Sequence, residues 1–166
     1  MQIPIVIVGL YLELSDATGP WKPALSLPAK CGLNAETYNF VNVIWYLPFV
    51  IGFYVNPNML FGPKAITGMP MFTMALDETG LWFGRAWATA MLMIVAGPYL
   101  FGFPHVKVTK QLTLSYLLFI GLFAYCIVNT SIMNITVIGP MTGINFLFFC
   151  AGLFCILPGQ SGEAML

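Results

Sequence analysis

His105 is the only histidine in the 166 residues, and imidazole is the side chain best suited to ligation or proton transfer near neutral pH. A single histidine excludes a haem held by two histidines of this chain, and a relay built from several. The chemistry left to it at a membrane interface is axial ligation of one chlorophyll magnesium. Asn39 and Asn42 stand one turn apart on one helical face and are the other side chains expected to contact a pigment. A solvated loop histidine is the plainer reading of His105.

Arg85 is the one charge expected inside a span. An ionisable group at membrane depth marks a functional site by default. Here it lies about one turn into its helix, with Asp77 and Glu78 about two turns upstream. Its guanidinium can snorkel to headgroups or pair with one of those acids. Arg85, Asp77 and Glu78 are therefore read as a structural charge anchor, the two acids also favouring a helix start beside the positive dipole end.

Met69, Met71 and Met74 form an M-x-M-x-x-M cluster whose thioethers suit Cu(I). Ten methionines in an apolar chain make such clusters common, and methionine fills irregular gaps, so no metal site is expected. Cys31, Cys126, Cys150 and Cys155 contain no C-x-x-C pair, and three lie in apolar segments, which reads as small buried hydrophobes. No Ser/His/Asp or Cys/His set, no paired carboxylates within a span and no phosphate-binding glycine loop occur. The expectation is a protein that is not an enzyme.

The elements that must position these residues are membrane spans. From Lys110 to Glu163 about fifty consecutive residues carry no charge, enough to cross a bilayer, turn and cross back. The chain is 59% hydrophobic and 7% charged, against roughly 25% charged residues in soluble domains. Six basic and six acidic side chains cancel, which excludes a basic face for nucleic acid. An all-α bundle of four transmembrane helices with an extended N-terminal tail is predicted.

The predicted spans are about 38–55, 81–103, 111–130 and 136–157. Pro48 falls inside the first, and Asn56-Pro57-Asn58 ends it with turn chemistry. The loop from Met59 to Thr79 is too rich in glycine and proline for a long helix. The second span closes at Gly97-Pro98. The next loop is expected to carry His105, Lys107 and Lys110. The last turn is placed near Asn129 to Thr136, with Gly139-Pro140 as the rival position.

Residues 1–37 are expected to be an extended or interfacial tail. Gly19-Pro20, Pro23 and Pro28 break any helix, and Trp21 and Lys22 suit a membrane interface. Met1 to Leu14 is apolar but lacks a basic n-region and a small-residue cleavage site. It reads as a segment packed on a partner, or as the remnant of a longer leader. Residues 158–166 form a short C-terminal tail. Lys22, Lys30, Lys107 and Lys110 outnumber Lys64 and Arg85 across the membrane, which places both termini on the cytoplasmic, stromal or matrix side.

Gly80 with Gly84, Gly139 with Gly143, and Ala86 with Ala90 have the small-x-x-x-small spacing that lets helices approach closely. The stretch Gly84-Arg85-Ala86-Trp87-Ala88-Thr89-Ala90-Met91 resembles part of the E-x-x-N/H-G-R-x-A-M helix of light-harvesting chlorophyll proteins. Five residues before the arginine, where that family has glutamate, stands Gly80, so the family's central pigment sites are not implied.

The functional expectation is a non-catalytic accessory subunit of a larger energy-transducing membrane complex, associated with a photosystem in the thylakoid. Aromatic residues make up 15% of the chain, and the spans are expected to have almost no polar interior to line a pathway. Chlorophyll, carotenoid and lipid at the helix surface are the cofactors to look for, and membrane lipids and other subunits the partners. The alternatives are a respiratory-complex subunit in the mitochondrial inner membrane, or a small transporter or channel for a solute or metal, using Arg85, Asn39, Asn42 and the Met69, Met71 and Met74 cluster.

Overall fold

The computed structural model describes Pro28 and residues 32–156. Residues 1–27 and 29–31 of the expected N-terminal tail, with Trp21, Lys22, Lys30 and Cys31, and the C-terminal tail lie outside the described residues, whereas Ala35, Glu36 and Thr37, expected in the tail, form the first turn of a helix capped by Asn34. Four helices are long and apolar enough to cross a membrane. They are α1 (Ala35–Val55), α3 (Glu78–Ala96, continued by a π-helical turn Gly97–Phe101), α4 (His105–Asn129) and α5 (Ile135–Ile156). A short helix, α2 (Pro57–Phe61), follows α1. Among the described residues no strand forms, only an isolated bridge between Phe72 and Met133.

Local chemistry explains the boundaries. The Asn34 side chain caps α1 by accepting from the Thr37 N–H at 2.9 Å. Asn56 ends α1 and its side chain caps α2, with Pro57 in the first turn of α2, where a missing N–H costs nothing. Asp77 caps α3: its Oδ1 accepts from the Gly80 N–H at 2.7 Å. The acid pair thus starts a helix, as its position beside the dipole predicts. Asp77→Ala should lower stability by about 1 kcal/mol, read as a shift in the midpoint of SDS-driven unfolding followed by circular dichroism.

The chain leaves α3 through Pro98, and Gly102 at φ +69° makes the left-handed turn that releases it from the helix. Helix α4 then begins at His105, six residues before the predicted start at Gln111. The reason lies in its buried face. Val108, Thr109, Leu112, Thr113 and Tyr116 are all buried and recur at helical spacing, while Lys107 and Lys110 stand exposed on the other side. The lysines do not mark a loop here; they occupy the outer face of a helix end. The last turn falls at 130–134, inside the predicted window, and Gly139-Pro140 lies within α5.

Helix α1 is the hub. It packs against α3, α4 and α5, while α4 and α5 form the most extensive pair. The four crossings alternate, so the described chain begins and ends at the same end of the bundle. At the opposite end the long loop is pinned to the α4–α5 turn. The Thr73 N–H donates to the Ile132 carbonyl at 2.8 Å, and the Asn134 N–H to the Met71 carbonyl at 2.9 Å. Asn58 closes the loop by bonding both the N–H and the carbonyl of Leu76.

Much of the aromatic content is internal. Tyr38, Tyr46, Phe49, Phe53, Phe61, Phe72, Tyr116 and Phe123 are buried. Tyr116 stacks on Phe148 with centroids 5.1 Å apart and on Tyr46 at 5.9 Å. Trp87 meets Phe53 edge-on at 5.3 Å. In lipid there is no hydrophobic drive between helices, so such packing and buried hydrogen bonds hold the bundle.

Candidate functional site

Asn39, Asn42 and His105 do come together, at one end of the α1–α4 interface. Asn39 and Asn42 have no solvent exposure. The Asn39 amide donates to the His105 carbonyl at 2.9 Å and lies 3.1 Å from His105 Nδ1. Its oxygen accepts from the Thr109 hydroxyl at 3.3 Å. One turn on, the Asn42 amide donates to the Tyr38 carbonyl at 2.8 Å, and its oxygen accepts from the Tyr116 hydroxyl. The Thr109 and Thr113 hydroxyls donate to carbonyls one turn back in α4, and the Tyr38 hydroxyl reaches the Phe148 carbonyl of α5 at 3.1 Å.

This ladder corrects one expectation and gives partners to the residues of another. The interior is not free of polar groups; Asn39, Asn42, Thr109, Thr113 and Asn145 are buried. The predicted pigment contacts Asn39 and Asn42 have their amides engaged inside the bundle. The oxygens of Asn39 and Asn42 already accept hydrogen bonds inside the bundle. Asn39, Asn42 and His105 hold α1 to α4, because buried amides and hydroxyls must find partners where no water reaches.

Arg85 is exposed on α3, away from the ladder. Glycine packing is selective. A Cβ at Gly84 would lie 2.5 Å from Phe53 Cδ1, so Gly84 is where α3 closes on α1. Gly80 meets only Leu76 and Asp77 of its own cap, and Gly139 and Gly143 have nothing within 4 Å. The tight contact in α5 is instead Gly152, against Thr113 and Tyr38. Of the methionine cluster, Met71 is buried while Met69 and Met74 are exposed, so the three sulfurs do not share one environment. Among the described residues no group of three or more His, Cys, Asp or Glu could hold a metal ion.

A second feature escaped the sequence reading. A cavity of about 330 Å³ lies between α1, α3, α4 and the long loop, lined by Phe53, Phe72, Phe83, Trp87 and Phe123 among others. A smaller one of about 50 Å³ adjoins it deeper in the bundle, sharing Phe53, Trp87 and Phe123 and reaching Asn145. Trp87 lines both. Its indole Nε1 is buried and has no hydrogen-bond partner. No periodicity announces this site, because its walls come from three helices and a loop.

The fold defines the class: an α-helical membrane protein with four crossing helices. Comparison with protein families, with curated proteins and with solved structures finds no match to this chain.

Proposed function

We infer that this chain is a non-catalytic accessory subunit of a larger energy-transducing membrane complex, and that the complex is a photosystem in the thylakoid membrane. The observation that carries the reading is the closed polar ladder. The interior amides and hydroxyls of Asn39, Asn42, Thr109 and Thr113 bond one another and the backbone, and so tie helices together rather than line a path. Arg85, the cation a transport pathway would use, stands outside the bundle. The outer surface presents the large rings Trp82, Phe83, Tyr125, Phe146 and Phe154, which suit packing against other apolar helices. With the asparagine amides turned inward, pigment would be held chiefly by contact at that outer surface. Both termini are assigned to the stromal side by the lysine balance.

Gentle detergent extraction followed by a native gel, absorbance scanning and mass spectrometry tests this. The chain should migrate in a green band far larger than its own mass. Haem absorbance in that band would move the assignment to a respiratory complex, and migration as a colourless monomer would end the subunit reading. Arg85→Ala should leave the migration unchanged and alter stability by no more than about 0.5 kcal/mol, as for other exposed substitutions. Loss of a solute flux in that variant would instead favour transport.

A further inference from the structure

Asn145 is buried without a partner near the middle of its span. It stands ten residues beyond the start of α5, about 15 Å along the helix axis at 1.5 Å per residue. That is half of a hydrocarbon layer roughly 30 Å thick. Ile138, Met141, Asn145 and Gly152 are buried residues of α5, spaced so that they share its inward face. Asn145 is 5% exposed. Its side-chain amide makes no hydrogen bond among the described residues, yet it is not sealed in as the Trp87 Nε1 is. The space it lines is the inner cavity of about 50 Å³, walled otherwise by rings and by Met71 and Met141. A polar group needs far less room, since one water takes roughly 10–15 Å³. An amide left bare at this depth is costly. The outer cavity of about 330 Å³ meets the inner one along Phe53, Met71, Trp87, Phe119 and Phe123. It is more than twice the roughly 150 Å³ that accommodates a benzene ring in an engineered apolar cavity. Phe83 and Leu122, at 59% and 50% exposure, stand on its outer side, so it opens toward lipid rather than toward either aqueous phase.

We propose that the two cavities together bind an uncharged, membrane-dissolved lipophile carrying one hydroxyl group, with the hydroxyl on the Asn145 amide and the apolar body in the outer cavity. The amide presents N–H donors and a carbonyl acceptor. A hydroxyl answers both at once, donating to the amide oxygen and accepting from an N–H. A carbonyl or an ether only accepts and would leave the amide oxygen unpaired. The lining of both cavities contains no charged side chain, which excludes an ionised headgroup. Aromatic walls favour a planar ring in the body through offset and edge contacts. A plain acyl chain would fill the outer cavity but leave the amide bare. A lone water would have the amide but mainly rings around it, whereas a buried water ordinarily makes about three hydrogen bonds.

The test uses the full chain in lipid nanodiscs, with nitrogen-15-labelled asparagine side chains observed by NMR. 2-Naphthol is the probe. The control is 2-methylnaphthalene, which has a methyl group in place of the hydroxyl. 2-Naphthol should shift one side-chain amide signal in a saturable manner, and that signal should be absent in Asn145→Leu. Counted per mole of lipid, it should bind about tenfold more tightly than the control. Asn145→Leu, close in volume, should reduce this preference to about twofold or less. Leu122→Trp, which narrows the outer cavity at its exposed rim, should weaken 2-naphthol binding about tenfold or more while the other asparagine signals stay in place. This second variant keeps Asn145 intact and decides the matter should Asn145→Leu not fold. A preference that survives Asn145→Leu, a shift that never saturates, or full binding by Leu122→Trp would each overturn the proposal. So would equal binding of the two compounds, and water protons in contact with the amide would then show that the inner cavity holds water only.

Discussion

Gly152→Ala should destabilise the bundle by about 2 kcal/mol, although it adds a single methyl group and alanine is the better helix former. Helix propensity alone would favour the change by up to about 1 kcal/mol. Packing opposes it. The new Cβ would press into the Thr113 hydroxyl and sit 2.9 Å from the Tyr38 hydroxyl. Both hydroxyls are engaged. Thr113 donates to the Thr109 carbonyl and Tyr38 to the Phe148 carbonyl, so neither can turn aside without breaking a buried bond. Overpacking of this kind costs about 1–3 kcal/mol, and a displaced hydrogen bond adds to it. The control is Gly143→Ala, where nothing lies within 4 Å of the added atom; it should be neutral or slightly stabilising. Midpoints of SDS-driven unfolding in bicelles would compare the two. Equal effects would mean that α5 does not approach α1 and α4 at Gly152.

That contrast shows what a sequence carries and what it leaves out. Gly139 and Gly143 have the small-x-x-x-small spacing and face open space, while Gly152 has no such partner and makes the closest contact. Spacing identifies a smooth stripe, but which stripe meets a neighbour depends on how all four helices rotate together. The spans themselves were legible because hydrocarbon tolerates so few charges that Lys110 to Glu163 had to be a paired crossing. The start of α4 was misplaced because its lysines were read by charge alone. The buried run from Val108 to Tyr116 was already periodic and would have extended the helix back toward Pro104. Asn39, Asn42 and His105 were singled out one by one, as candidate ligands, and their polar partners inside the bundle were not foreseen. Side-chain type announces polarity at depth without saying whether it points outward to a cofactor or inward to a partner. Trp87 and its cavity were out of reach, since one indole among four tryptophans carries no mark of a missing acceptor.

The ladder's cohesion is measurable at its deepest rung, where the Tyr116 hydroxyl donates to the Asn42 oxygen and both residues are fully buried. Tyr116→Phe should cost about 1–2 kcal/mol, because it removes the donor of the buried amide oxygen. Asn42→Leu, close in volume, should cost a similar amount by stranding the phenol. The stacking of Tyr116 between Tyr46 and Phe148 survives in Tyr116→Phe, so its loss reports the hydroxyl and not the ring. The double variant removes both polar groups at once. Its cost should fall short of the sum by about 1 kcal/mol, between the mean of roughly 0.6 and the maximum of roughly 1.7 found for hydrogen bonds between membrane helices. The full desolvation penalty is not expected, since separated helices in lipid let each group find other partners. A coupling within about 0.3 kcal/mol of zero would count as additivity. It would mean that α1 and α4 are held by ring packing alone and that the ladder settles only their register.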